Sequence, residues 1–170
     1  ANKINNVRDT TSVEATSTTQ AMLSFENTSG MNLNDTVSFN LYGLDGTMQN
    51  ISSKINFGSG NQNMDLDPLK TEINKFSSQT GITAYISDDK QAITLQTRQG
   101  FDILIENFNL KNDTNSVFMY LNEMKSSGQV SPCSLKLSQS SSGGNANDSA
   151  RIFGEVIFKS HEHFSVNSSQ

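Results

Sequence analysis

The chain has 170 residues, a formal net charge of −5 at pH 7 and a hydrophobic fraction of 34%, with no tryptophan. This length suits one ordinary domain, and the modest apolar content predicts a thin core beneath a largely uncharged polar surface. Because nucleic-acid binding rests mainly on Lys and Arg contacts to phosphate, an acidic chain without a basic cluster makes DNA and RNA poor candidate partners.

Cysteine usage and hydropathy exclude two further classes of protein. Cys133 is the sole cysteine, so neither an internal disulfide nor a Cys-rich zinc site can form, and we expect a small buried or edge residue there. No apolar run approaches the roughly 20 residues of a membrane-spanning helix, and no basic-then-apolar signal stands at Ala1. We therefore predict no membrane partner.

The start of the chain predicts little regular structure. Residues 1–20 are polar with few large apolar groups, so we expect an extended or frayed lead-in. A single domain is expected over residues 21–166, followed by a tail at 167–170. Within that domain, Ala21 to Phe25 could form a first short strand.

Two alternating segments predict a hairpin or a meander pair. Val37, Phe39 and Leu41 alternate with polar residues, which is the pattern of a half-buried strand. Asp45-Gly46 supplies a turn into a second alternating run, Met48 to Phe57.

Residues 68–80 predict a short amphipathic helix with boundary signals at both ends. Three apolar side chains recur at i, i+4 and i+7 and form one stripe, which we expect to dock on a sheet. An aspartate and a proline suit the first turn, and a glycine suits the left-handed end. The stripe is Leu69, Ile73 and Phe76, and the cap residues are Asp67, Pro68 and Gly81.

Alternation after the helix predicts strands with one buried face each. The apolar residues share parity within three runs, which are Ile82 to Ile86, Ile93 to Leu95, and Phe101 to Ile105. Farther on, Val117, Leu121 and Met124 have helical spacing, which favours a second short helix, although this segment could equally be a strand.

The last third predicts strands separated by a long loop. Leu135 and Leu137 suggest a strand, and residues 150–166 suit one or two more. Residues 138–149, rich in Ser, Gly and Asn, have nothing to bury and predict a loop. The chain as a whole predicts an α+β fold of about eight mainly antiparallel strands, with the helix lying across one sheet face.

No pattern of an enzyme or a metal site emerges. His161, Glu162 and His163 form the only local cluster of metal-ligand types, but two imidazoles are too few for a zinc site. Asp65 and Asp67 fit helix capping better than acid–base chemistry. The chain lacks G-x-S-x-G, a P-loop lysine near residues 58–63 and a calcium-binding loop. We therefore predict no catalytic residue and no cofactor.

The segment EINKFSSQTGITAYISDDKQAITLQTRQGFDILI resembles the IN motif of bacterial flagellins and hook-associated proteins. In that family an Ile-Asn pair lies in a short helix, and a Gly-[Ile/Val]-Thr-Ala strand follows. A strand resembling I-T-L-x-[ST] then ends in a glycine turn. The resemblance places an IN module over about residues 54–107. The matching residues are Ile73, Asn74, Gly81, Ile82, Thr83, Ala84, Ile93, Thr94, Leu95 and Gly100.

This resemblance implies a surface-exposed, variable domain of a flagellar axial protein, extracellular and structural rather than catalytic. Neighbouring filament or hook subunits would be its partners through regions outside this chain. Because the chain lacks long heptad-rich helices, we expect it to be monomeric in isolation. Flagellin outer domains are often O-glycosylated, and the candidate acceptors here are Ser138, Ser140, Ser141 and Ser142.

Two alternatives stay open. A hook or hook-associated junction protein would carry a similar module with a different assembly role. An adhesin or carbohydrate-binding domain would use a polar sheet face as its binding surface, although three tyrosines and no tryptophan offer few aromatic groups for stacking on sugars.

Overall fold

The computed structural model describes residues 1–29, 33–57, 64–112, 116–139, 147–161 and 163–165. Antiparallel sheet dominates these residues and the helices are short, which is the coarse α+β character that the sequence predicts. The helices are α1 (Asn2–Asn5), α2 (Arg8–Thr11), α3 (Asp67–Lys75) and α4 (Ser77–Thr80). The strands are β1 (Val13–Asn27), β2 (Leu33–Tyr42), β3 (Met48–Phe57), β4 (Thr83–Ile86), β5 (Ala92–Thr97), β6 (Ile103–Leu110), β7 (Val117–Met124), β8 (Val130–Leu137), β9 (Ala150–Ile152) and β10 (Glu155–Ser160).

The strands form two antiparallel sheets. The first has the order β4-β5-β1-β7-β8, with β10 also paired to β1, and the second has the order β3-β2-β6-β9. β1 has 15 residues, which is long enough to pair with β10 through its first half and with β5 and β7 through its second half. This strand therefore joins the amino-terminal and carboxy-terminal parts of the chain.

The two sheets share one core. The Phe25 ring of β1 lies 5.5 Å from the ring of Phe57 and 6.3 Å from that of Phe108, which belong to two strands of the other sheet. Nearby, the buried Asn27 side-chain nitrogen donates to the carbonyl of Phe57 at 3.1 Å. Buried side chains from both sheets belong to a single cluster. Each sheet thus covers the inner face of the other.

This arrangement corrects the expected position of the helix. The sequence predicts a helix across one sheet face, but that face is covered by the second sheet. α3 instead contacts both β3 and β4, the terminal strands of the two sheets on the same side of the core. An apolar stripe of two or three side chains is wide enough to fill the space between these two terminal strands but not to cover a whole sheet.

The predicted extended or frayed lead-in over residues 1–20 is wrong, because this segment forms regular structure. Two short helices come first, and β1 then begins well before Ala21. Ala15 and Thr19 are buried in this part of the strand, and the Thr19 hydroxyl donates to the carbonyl of Phe101 at 2.7 Å. Threonine is common in strands and alanine is not, and neither residue carries much hydrophobic signal, so the sequence does not mark this part of the strand.

The preferred second helix over residues 117–124 is also wrong, because this segment is β7. Val117, Met119 and Leu121 are buried while the residues between them are not, which is the period of a strand. β7 pairs with β1 on one side and with β8 on the other. The short apolar run fits the period of a helix and that of a strand equally well, and backbone pairing on both sides selects the strand.

The predicted hairpin is confirmed. β2 pairs with β3 over ten residue pairs, from Leu33 opposite Phe57 to Tyr42 opposite Met48. Its turn closes with the Gly43 N–H donating to Thr47 at 2.9 Å, and Gly46 adopts φ +73°. The predicted loop over residues 138–149 lies mostly outside the described residues.

The shared core predicts a large effect for truncation of its central ring. Phe25→Ala should lower the free energy of unfolding by about 3–5 kcal/mol, because a buried aromatic side chain is replaced by a cavity. The matched control is Phe153→Ala, since that ring is 66% exposed, and its effect should stay within about 0.5 kcal/mol. Chemical denaturation measures both. Equal midpoints for the two variants would contradict contact between the sheets at Phe25.

Candidate functional site

The stripe residues of α3 lie where the two sheets come together. Leu69 and Ile73 are fully buried, whereas Phe76 is partly buried and packs against the edge of the core. Because α3 contacts both β3 and β4, these side chains help to join the terminal strands of the two sheets.

Asn74, the residue after Ile73, binds the backbone of β4 through both ends of its side chain. Its Nδ2 donates to the Ala84 carbonyl at 2.8 Å, and its Oδ1 accepts from the Ala84 N–H at 2.8 Å. Since β4 is the terminal strand of its sheet, the amide occupies the position that another strand would take. It thereby satisfies two backbone groups and covers an open sheet edge.

A tight turn connects the helix to this strand. The Thr80 hydroxyl donates to the Phe76 carbonyl at 2.9 Å and accepts from the Ile82 N–H at 3.2 Å. Gly81 adopts φ +70°, and a Cβ at this residue would lie 3.0 Å from the Phe101 ring. Glycine is therefore favoured at this helix end by both conformation and space.

The amino-terminal end of the helix differs from the sequence prediction in one respect. Asp67 is the first helical residue rather than the N-cap. The N-cap residue is Leu66, and no side-chain hydrogen bond caps this end of the helix. The Asp65 carboxylate instead accepts from the Asp67 N–H at 3.0 Å. The Asp67 carboxylate lies 2.8 Å from the Lys70 ammonium, and this contact lowers its pKa. Pro68 lies in the first turn, where it removes no helical hydrogen bond.

The same asparagine contact occurs a second time, at the start of the chain. Asn5 Nδ2 donates to the Ala15 carbonyl at 2.8 Å, and Asn5 Oδ1 accepts from the Ala15 N–H at 2.7 Å. Each asparagine is ten residues from its alanine. In both cases an isoleucine precedes the asparagine, as Ile4 and Ile73.

The turn between helix and strand is repeated as well. The Thr11 hydroxyl donates to the Val7 carbonyl at 2.9 Å and accepts from the Val13 N–H at 3.3 Å. Ser12 adopts φ +55° at the position that Gly81 occupies in the other copy. We call residues 1–18 the first repeat and residues 67–86 the second repeat.

Strand pairing extends the correspondence beyond the helix. Ala84 of the second repeat lies opposite Leu95 of β5, whereas Ala15 of the first repeat lies opposite Phe158 of β10. Hence β10 pairs with the strand of the first repeat in the same way that β5 pairs with the strand of the second. Sequence analysis missed this repeat, although Ile-Asn followed ten residues later by Ala was a usable signal. A serine at the left-handed position and the polar surroundings concealed it.

The two repeats differ in burial. Ile73 and Ile82 of the second repeat are fully buried, but the corresponding Ile4 and Val13 are only partly buried. Val7, which corresponds to Phe76, is 50% exposed. The local contacts are therefore shared, while the apolar side chains of the second repeat are more deeply buried.

The histidines and the cysteine form no site in the described structure. Within the described residues, no group of three or more His, Cys, Asp or Glu side chains is placed to hold a metal ion. Glu162 of the predicted cluster lies outside those residues. Cys133 is exposed on β8, a terminal strand, which corresponds to the edge position considered for it.

The proposed glycosylation segment is described only at its start. Ser138 is partly buried, and its N–H donates to the Asn147 carbonyl at 2.9 Å. Ser140, Ser141 and Ser142 lie outside the described residues.

Comparison with known proteins assigns the chain to no family. No protein-family model matches the chain, and no curated protein matches it. Among the helices of the described residues, none has the length and apolar content needed to cross a membrane.

The difference in burial between the repeats predicts unequal effects of one substitution. Ile73→Ala should cost about 2–5 kcal/mol of unfolding free energy, because it leaves a cavity between the sheets. Ile4→Ala removes the same atoms from a partly exposed position and should cost less than half as much. Denaturant titration of both variants tests this, and equal costs would contradict the assignment of unequal cover.

Removing one half of the asparagine contact should also be measurable. Asn74→Asp keeps the acceptor for the Ala84 N–H but loses the donor to its carbonyl, so we expect a loss of about 1–3 kcal/mol. Asn56→Asp on the exposed side of β3 makes the same chemical change and should alter stability by less than about 0.5 kcal/mol. Denaturation midpoints that shift equally would show that the contact contributes nothing beyond the added charge.

Proposed function

We propose that this chain is the surface-exposed, variable domain of a bacterial flagellar filament protein of the flagellin type. The observation that carries the proposal is the Ile73-Asn74 pair of the IN-like segment. Its isoleucine is buried at the junction of the sheets, and its asparagine binds the strand that follows the helix. The motif residues thus have a structural task, which fits a family of structural proteins.

In this role the domain is a non-catalytic spacer that projects from a filament outside the cell. A two-sheet core gives it rigidity, and its polar outer surface sets wetting, contacts with neighbours and antigenicity. The amphipathic helix α3 contacts the terminal strands β3 and β4 and so helps to join the two sheets. The serines at 138 and 140–142 are the positions we propose for O-glycosylation.

Filament contacts are proposed to lie in other parts of the polypeptide. Assembly through coiled-coil seams needs helices with several heptads of apolar residues. The longest helix among the described residues, α3, has nine residues, and its apolar stripe faces its own core. These features support decoration of a polymer rather than construction of it.

The deciding experiment removes this chain from the complete polypeptide that carries it. The deleted segment must include β1. A deletion that began after this strand would leave the apolar side chains of Leu23 and Phe25 without partners. Replacing residues 1–165 by a short Gly-Ser linker should leave secretion and assembly intact and give a filament of smaller diameter by electron microscopy. The unmodified polypeptide, expressed in parallel, is the control.

The opposite result has a clear meaning. Loss of secretion or assembly in the deletion variant would contradict the spacer role and favour a junction or assembly role instead. The isolated chain should sediment as a monomer, and its polymerisation would contradict the proposal in the same way.

A further inference from the structure

An open cavity of about 740 Å³ lies between the first repeat and two turns of the sheets. Leu44 lines it from the turn between β2 and β3, and Arg98 and Gln99 line it from the connection between β5 and β6. This volume falls within the roughly 300–1,000 Å³ that sites for small molecules occupy. The proposed spacer role makes no use of this cavity.

The charged side chains that line the cavity are both positive. They are Lys3 and Arg98, and neither takes part in an ion pair with any residue that the structure describes. The other two arginines of the chain each lie beside a carboxylate. Since the chain as a whole has a net charge of −5, this wall is a local site of positive potential that favours an anion.

The backbone that carries Arg98 is fixed to β1 by three consecutive hydroxyl groups. These hydroxyls donate to carbonyl oxygens on both sides of Arg98, at distances from 2.7 to 3.1 Å. A ligand would therefore not have to order this connection when it binds, which lowers the entropic cost of binding. The donors are Ser17, Thr18 and Thr19, and their respective acceptors are the carbonyls of Gln99, Thr97 and Phe101.

The opposite wall of the cavity is fixed by the asparagine contact of the first repeat. Lys3 and Asn5 belong to α1, and the Asn5 side chain binds both backbone groups of Ala15. This contact also occupies the edge of β1 at Ala15, so an extended peptide cannot add there as a further strand. The cavity thus favours a ligand that is recognised through its own polar groups rather than through a peptide backbone.

Uncharged groups of two kinds complete the lining. The side chains of Asn2, Thr16 and Gln99 make no hydrogen bond within the described part of the chain, so their amide and hydroxyl groups are available to a ligand. Ile4 and Leu44 add apolar surface, and Leu44 is 48% exposed. Amides and hydroxyls bind sugar hydroxyls, and apolar side chains pack against the C–H groups of a sugar ring.

We propose that this cavity binds a carboxylated oligosaccharide, with the Arg98 guanidinium holding the carboxylate and Lys3 adding a second positive charge. A guanidinium binds a carboxylate through two parallel hydrogen bonds, which gives both affinity and orientation. The described lining includes no aromatic side chain, so recognition rests on charge and hydrogen bonds rather than on stacking. The inference rests on the cavity alone and is independent of the flagellar role.

Isothermal titration calorimetry of the 170-residue chain with two carboxylated trisaccharides, trigalacturonic acid and sialyllactose, tests the proposal. At least one of them should bind at a single saturable site. Maltotriose, a neutral trisaccharide, should bind about ten-fold more weakly or less, because it cannot form the charged hydrogen bonds. If neither carboxylated sugar binds, or if maltotriose binds equally well, the proposal is overturned.

An acidic peptide separates recognition of a sugar from simple attraction of negative charge. Triglutamate carries carboxylates but no sugar ring, and it should bind more weakly than the better of the two carboxylated sugars. Equal or tighter binding of triglutamate would make an acidic peptide the ligand and would overturn the proposal.

Substitutions place the ligand in this cavity. Arg98→Gln should weaken binding of the carboxylated sugar about ten-fold or more, and Arg98→Lys, which keeps the charge but loses the planar fork, about three-fold. The matched control is Lys125→Gln, which removes one exposed positive charge outside the lining and should change the affinity by less than about two-fold. Both positions are exposed, so all three variants should keep the denaturation midpoint. Equal affinities of Arg98→Gln and Lys125→Gln would overturn the proposal.

Discussion

An asparagine side chain at a sheet edge is the contact on which this architecture depends. Asn74 pairs with both backbone groups of Ala84 and so fixes α3 to the terminal strand of one sheet. That attachment sets where Leu69 and Ile73 enter the core, and α3 also contacts β3 of the other sheet. Without this contact, α3 would not be held at a fixed position along β4.

The repeat shows which part of this arrangement is local. Asn5 and Ala15 reproduce the contact with distances within about 0.1 Å of those of Asn74 and Ala84, yet the isoleucine beside Asn5 is only partly buried. The helix, turn and strand therefore form through near-neighbour hydrogen bonds, without full cover of their apolar face. The depth at which the apolar side chains are buried is set separately, by tertiary packing, and among the described residues it is greater in the second repeat. This separation suits a modular domain in which similar units can be joined in series.

The sequence predicts those features that depend on local period. Alternation at Val37, Phe39 and Leu41 marks the hairpin, and the stripe of α3 is visible because its apolar spacing is helical. Prediction from sequence fails where the structure of a segment is decided by pairing with a strand far away in the chain. Val117 and Leu121 fit both periods until pairing with β1 selects the strand. The first half of β1 carries small and polar side chains, so its burial depends on distant parts of the chain, as the Thr19 contact to Phe101, 82 residues away, illustrates. The edge contact of the asparagine has no signature in hydropathy at all.

Residue-resolved hydrogen exchange of the unmodified chain tests the central claim most directly. The amides of Ala15 and Ala84 donate to asparagine side chains rather than to a neighbouring strand. Both should exchange far more slowly than the amide of Ser127 in the exposed turn between β7 and β8, because each opens only when its helix detaches. Slow exchange at Ala84 and at Ala15 together is the predicted result. Exchange at Ala15 as fast as at Ser127 would contradict the account, since the first repeat would then lack the contact that defines it.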